Sequence, residues 1–284
     1  MENSEQQNEK QKEKIDLKTD DIVSLLADSH AHLSLMQNAE EVVQTMKQNK
    51  LCAIVNMAGS ITDGKLAQKI SSQHKNVYYM VGLHPVDIDD YNDEYVAFLK
   101  NLKATDDHFV GVGEIGLDYH GDYKNKDYQK EVFLKQIKLA DSLNLPISIH
   151  VRDAHSDAIM LLNNNKKYLK HGGILHCFSG NQEEMQAYLS IGLYISFSGS
   201  VTFKRNSETE TELQRCAKLC PLDRILIETD APFLCPSPYR GRVNEPKFVL
   251  QTARCIADIR CINVNKLIDA TTTNLENLLT KKFK

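Results

Sequence analysis

Histidines and carboxylates recur in this chain where short apolar runs come to an end. His30 and His32 close the first such run, His84 closes the third, and Glu114, His150, His176 and Asp230 stand at the ends of four others. His30 and His32 are two residues apart, so on an extended strand both side chains leave the same face, a geometry suited to two nitrogens on one metal ion. Any one of these residues, taken singly, reads as a structural histidine or a strand-end cap. Together they are hard to ascribe to chance, because four of the ten histidines and two carboxylates fall at matching ends of five runs. Imidazole and carboxylate donors without cysteine suit Zn, Mn, Fe or Co, and Mg where carboxylates and water dominate. Six donors exceed what one tetrahedral ion takes, so two ions sharing a bridging carboxylate fit the set better. Two divalent ions about 3.5–4 Å apart clamp an in-line displacement at phosphorus, activating a water and neutralising the leaving oxygen.

The elements that would position these groups are eight apolar runs, LLADSH (25–30), CAIVNMA (52–58), VYYMVGLH (77–84), FVGVGEIGL (109–117), PISIHV (146–151), GILHCF (173–178), LYISFSG (193–199) and RILIETD (224–230). Amphipathic stretches such as DYQKEVFLKQIKLADSL (127–143) lie between them, with apolar residues every three to four positions. That rhythm predicts an α/β fold, a single (β/α)8 TIM-type barrel with its active site at the C-terminal ends of the strands. The alternative, an open doubly wound sheet, usually carries a Gly-rich phosphate turn after its first strand, and no such pattern follows here. The Pro-dense stretch PFLCPSPYRGRVNEP (232–246), directly after the eighth run, reads as a long active-site loop.

The chain has 284 residues, 42% of them hydrophobic, enough for one large core. Residues 1–22 are almost devoid of apolar side chains and are expected to form a disordered or fraying extension, leaving 23–284 as the barrel. That extension has neither the apolar core of a signal peptide nor the acid-poor character of a transit peptide, and no apolar run reaches membrane-spanning length. An intracellular protein is expected, in the cytoplasm or, in a eukaryote, the nucleus. The seven cysteines, at 52, 177, 216, 220, 235, 255 and 261, form no CxxC pair and read as reduced thiols in small buried slots. A net charge of −4 offers no global basic field for nucleic acid, so a polyanionic substrate would depend on bound cations and a few Lys and Arg side chains.

Seven segments in order, DSHAH (28–32), VGLHP (81–85), GEIGLDY (113–119), PISIHVRDA (146–154), HCFSG (176–180), YISFSGSVTFK (194–204) and LIETDAPFLCP (226–236), resemble the TatD family of metal-dependent deoxyribonucleases, a branch of the amidohydrolase-like barrels. The likeness spans residues ~25 to ~280, the extent of a whole barrel. It implies that His30, His32 and Asp230 hold one divalent ion, that His150 and His176 hold the other, and that Glu114 bridges them. Asp230 would also orient or deprotonate the attacking water. His84 is implied to stand behind the ligands or on a phosphate, and Glu228, Arg152 and Asp153 at supporting positions. Glu228 either touches the site or braces a ligand, and Arg152 either binds phosphate or pairs with a neighbouring carboxylate. Arg240 and Arg242, in the loop after the eighth run, either grip a backbone phosphate, for which the planar guanidinium is suited, or are only solvated; contact is the reading taken.

Two positions depart from the family pattern: Ser34 stands where an Asp commonly follows HxH-Leu, and Ser156 where an acid often ends the HVRDA segment, with Asp157 one residue later. The implied activity is hydrolysis of DNA phosphodiester bonds, 3′ to 5′, on single-stranded or frayed ends, with two ions of Mg, Mn or Zn and no obligatory protein partner. Two alternatives stay open. One is a hydrolase of the same barrel acting on an amide, lactone or aminoacyl ester; the other is a non-catalytic metal-binding scaffold, whose mark would be a lost ligand.

Overall fold

The computed structural model describes residues 17–121, 125–203 and 210–283. Eight parallel strands pair in chain order: β1 (Leu26–Ala31), β2 (Leu51–Ala58), β3 (Val77–Val81), β4 (Phe109–Asp118), β5 (Ile147–Arg152), β6 (Gly173–Leu175), β7 (Tyr194–Phe197) and β8 (Ile225–Ile227). The ring closes between its first and last strands. There the Asp230 N–H donates to the His30 carbonyl at 2.9 Å, and the His32 N–H donates to the Ala231 carbonyl at 2.7 Å. The expected (β/α)8 barrel is therefore the fold. All eight runs became strands, but β6 and β8 are short, so His176, Glu228 and Asp230 lie just past regular pairing, whereas β4 extends one residue further, to Asp118.

The connecting helices are α1 (Ala39–Gln44), α2 (Ile61–Ser72), α3 (Asp93–Thr105), α4 (Lys126–Ser142), α5 (His155–Asn164), α6 (Gln182–Ile191), α7 (Glu212–Leu219), α8 (Val249–Ile259) and α9 (Val264–Leu279). Several start on side chains that satisfy otherwise unpaired N–H groups: Ser60 caps α2, Asn92 caps α3, and Asn181 with Glu184 and Thr211 with Gln214 form reciprocal caps on α6 and α7. These caps set where each loop ends and hence how far each strand end projects into the mouth.

One glycine is decisive for the site. At Gly116 (φ +150°) an added Cβ would lie 1.9 Å from the His150 carbonyl oxygen, so only glycine lets β4 lie this close to β5 and brings Glu114 and Asp118 beside His150.

The other end of the barrel is closed by α9. Thr272 Oγ1 donates to the Leu25 carbonyl, and Asn274 Nδ2 donates to the carbonyls of Leu222 and Ile225, tying the helix to the entries of β1 and β8. Leu275, Leu278 and Phe283 pack with Cys52, Tyr78 and Ile174 in one buried cluster. Residues 1–16 of the expected extension lie outside the described residues. Leu17 and Ile22 are buried in the main core, so the packed chain begins upstream of the expected boundary at residue 23. Among the described residues no helix is long and apolar enough to cross a membrane. All seven cysteines are free thiols; Cys52, Cys216, Cys220 and Cys235 are buried, Cys177 and Cys255 half-buried, and Cys261 exposed.

Candidate metal centre

At the mouth the strand ends bring His30, His32, Glu114, His150, His176 and Asp230 into a single cluster. Glu114, almost wholly buried within β4, divides its two carboxylate oxygens. Oε2 faces His30 Nε2 at 3.6 Å and His32 Nε2 at 3.7 Å, while Oε1 faces His176 Nε2 at 2.6 Å and His150 Nδ1 at 2.8 Å. On the first side Asp230 Oδ1 lies 3.4 Å from His32 Nε2 and 3.7 Å from His30 Nε2. The rings of His30 and His176 stack at 3.9 Å, so the two sides form one continuous wall. His30, His32 and Asp230 gather ligand atoms able to hold a metal ion, as do His30, Glu114 and His176, and as do His84, Asp118 and His150.

The protonation preferences show how the cluster manages its charge. Burial alone would raise the Glu114 carboxyl, but His176 and His150 outweigh it and hold it well below the usual range. Burial likewise opposes charge on His176, yet Glu114 and Glu228 push it well above the ordinary imidazole value. His30, fully buried and crowded by His176, is driven well below. The buried carboxylates thus draw positive charge into the mouth, where a divalent ion could replace a proton, and His30 keeps a free lone pair for it.

Around this cluster stand groups that hold it. Glu228 is fully buried, its acid form favoured by burial, and its Oε1 accepts the Cys177 N–H at 2.7 Å and lies 3.5 Å from His176 Nδ1. His84 Nδ1 accepts the Val86 N–H at 3.3 Å, which turns Nε2 towards Glu114 Oε1, 3.8 Å away; burial lowers the His84 imidazole to about 4. His84 is therefore a neutral ring presenting an N–H to the mouth.

Two carboxylates in this shell were not singled out from the sequence. Asp118 Oδ2 lies 3.1 Å from His150 Nε2. Its signal was available, since it stands four residues after Glu114 at the end of the same strand, an even spacing that favours the same face. Asp28 is buried and pushed up to about 8, by burial against hydrogen bonds from Thr229 and His30. It accepts the Thr229 N–H at 2.9 Å and the Thr229 hydroxyl at 2.5 Å, locking β1 to the segment that carries Asp230. Nothing in its spacing distinguished it from a strand residue.

The expected substrate groups are more dispersed. Arg152 ends β5 exposed, Asp153 pairs with His120 at 2.8 Å, and the Arg240 guanidinium sits 3.9 Å above the Phe203 ring; none of the three contacts the histidine–carboxylate cluster among the described residues. Arg242, in the same loop as Arg240, is half-buried. Ser34, in place of the family's Asp, accepts from Asn56 Nδ2 at 3.4 Å, while Asn56 Oδ1 takes the Leu33 N–H at 2.8 Å. Ser156 is exposed, and it is Asp157 that is engaged, accepting the Tyr119 hydroxyl at 2.7 Å. Phe233, not singled out from the sequence, is 52% exposed, and its ring lies 6.0 Å from that of His32.

A parallel barrel whose mouth gathers imidazoles and carboxylates able to hold metal ions is built as a metal-dependent hydrolase. The sequence pattern of the family described as TatD related DNase matches residues 27–280, and the chain belongs to that family. It is 40% identical to YabD of Bacillus subtilis (strain 168), described as an uncharacterized metal-dependent hydrolase, over 89% of this chain and 98% of the relative. It is 32% identical to TatD of Escherichia fergusonii, named a 3′-5′ ssDNA/RNA exonuclease, over 79% of this chain and 86% of that one. Among solved structures, the TatD homolog YjjV of Escherichia coli K12 superimposes with a TM-score of 0.84 at 24% identity, covering 90% and 98% of the two chains, a likeness of fold.

Proposed function

We propose that the protein is a two-metal phosphodiesterase acting on single-stranded or frayed DNA ends, releasing nucleotides 3′ to 5′. The observation that carries this reading is Glu114, whose two oxygens face two separate sets of imidazoles. His30, His32 and Asp230 would hold one ion, His150 and His176 the other, and Glu114 would serve both. Bound there, divalent ions of Mg, Mn or Zn would supply Lewis acidity at the phosphoryl oxygens and lower the pKa of a water.

The chain's own groups then have distinct tasks. Asp230 takes the proton of the attacking water as its oxygen bonds to phosphorus and the P–O3′ bond breaks; the departing O3′ takes a proton from solvent water, and Asp230 later returns its own proton to solvent. The neutral His84 donates its Nε2–H to a non-bridging phosphate oxygen. Glu228 holds His176 in place from beneath. The exposed face of Phe233 offers a surface on which a terminal base can stack, and Arg240 and Arg242 lie in the loop that follows it, where the backbone phosphates would pass. That aromatic face favours a nucleotide over an aminoacyl ester, the rival substrate for the same barrel. The free thiols suit a reducing compartment, the cytoplasm.

Time-resolved digestion of 3′- and 5′-labelled single-stranded DNA with Mg, Mn or Zn, with a chelator control, tests the reading. The 3′ label should be released first as mononucleotide, the 5′-labelled strand should shorten stepwise, and chelation should stop both. Rates should fall as salt rises. Intact oligonucleotide with every metal, together with cleavage of an aminoacyl ester, would overturn it.

A further inference from the structure

The two ring nitrogens of His150 face different surroundings. Nδ1 lies on the inner side of the cluster, 2.8 Å from Glu114 Oε1 and 3.2 Å from His176 Nε2; Nε2 lies on the outer side, 3.1 Å from Asp118 Oδ2. A neutral imidazole has one N–H and one lone pair, and the partner of one nitrogen decides the state of the other. Asp118 is well placed to decide, because its own position does not depend on His150. Its Oδ1 accepts the His120 N–H at 2.8 Å, its backbone N–H donates to Gln129 Oε1 at 2.8 Å, and its carbonyl accepts from Gln129 Nε2 at 2.8 Å. It is 6% exposed, so water competes little for the carboxylate.

We propose that Asp118 is a positioning residue for metal binding, accepting the Nε2–H of His150 so that Nδ1 keeps its lone pair and is the ligand atom. The proposal rests on the two-ion reading above and assigns an asymmetry within it. A histidine whose outer N–H is held by a carboxylate is a more basic and better oriented ligand. Among the described residues, the opposite wall lacks this device at His30, whose buried Nδ1 has no hydrogen-bond partner. Loss of Asp118 therefore acts on the ion that His150 and His176 would hold and spares the one beside His30, His32 and Asp230. His84, Asp118 and His150 could instead surround a further cation, with Asp118 itself as a ligand, and the experiment separates that arrangement from positioning.

Chelator-stripped full-length protein is titrated with Zn2+ alone by calorimetry, as wild type, Asp118→Ala and Asp118→Asn. Wild type should take up two ions. Asp118→Ala should weaken one uptake by about 10–100-fold and leave the other unchanged, and Asp118→Asn, which keeps an acceptor oxygen, should recover part of the loss. In the zinc-loaded wild type, nitrogen NMR of His150 should find the proton on Nε2 and zinc on Nδ1, a measurement that needs no variant. A proton on Nδ1, unchanged affinities in Asp118→Ala, equal weakening of both ions, or three ions falling to two would each overturn the positioning role while leaving metal binding intact. A wild type that binds no zinc would remove the two-ion reading, and this proposal with it.

Discussion

At the N-terminal ends of the strands the barrel is sealed: Leu275, Leu278 and Phe283 press into the floor, and Thr272 and Asn274 satisfy the carbonyls of Leu25, Leu222 and Ile225. At the C-terminal ends the same strands stop in polar, strained backbone. Asp153, Cys177 and Asp230 have φ of 54°, 42° and 57°, a left-handed conformation that costs such residues on the order of 1 kcal/mol each. Buried polar atoms there, including His30 Nδ1 and Glu228 Oε2, have no hydrogen-bond partner among the described residues. The contrast teaches that one set of strands divides its labour along its length. The floor supplies stability and the mouth spends some of it on holding charged groups together.

The division can be broken experimentally. The largest effect should come from Asp230→Asn, which removes the proposed proton acceptor at the mouth. Turnover on labelled single-stranded DNA should fall by about 10²–10⁴-fold with no loss of thermal stability, and an undiminished rate in metal-loaded protein would exclude the assigned role. Leu275→Ala in the floor should do the reverse. Unfolding free energy in a denaturant titration should drop by about 2–5 kcal/mol, while kcat per folded molecule stays at the wild-type value. A fall in kcat as large as that for Asp230→Asn would erase the contrast. Phe233→Ala should raise KM for an oligonucleotide roughly tenfold with little change in kcat, and should not alter KM for a strand whose 3′ nucleotide is abasic. An equal effect on both substrates would remove the stacking role.

The smallest effect belongs to the mouth's outer rim. The Asp157 carboxyl is held below its usual range by the Tyr119 hydroxyl first and then by Lys130. A carboxyl whose folded pKa is depressed lends stability above its unfolded value of ~4 and loses it as pH falls towards the folded one. Tyr119→Phe should therefore flatten the acid side of the stability profile below pH ~4, by at most about 1 kcal/mol. Thermal melts from pH 3 to 7 would measure it, and an unchanged profile would show that the hydroxyl contributes nothing.

The barrel was legible because eight buried parallel strands must be written as apolar runs, and helices between them as amphipathic stretches. The six-residue cluster was legible because polar groups at the ends of such runs converge on one face. Of the other residues singled out, His84 faces Glu114 and Glu228 lies beneath His176. Asp118 escaped because the fourth apolar run ends at Leu117, whereas strand pairing continues to Asp118. Asp28 escaped because its role is a contact with Thr229, 201 positions away in the chain, which no local spacing encodes. The loop arginines were expected at a phosphate from residue type alone; the Arg240 guanidinium lies over the Phe203 ring.

The seam between β1 and β8 bears on how the protein is born. His30 and His32 leave the ribosome early, whereas Asp230, hydrogen-bonded to the His30 carbonyl, comes from the last strand of the ring. A nascent chain that has not yet made β8 has neither the closing hydrogen bonds nor Asp230. The group of His30, His32 and Asp230, able to hold a metal ion, is therefore complete only once synthesis has passed the eighth strand.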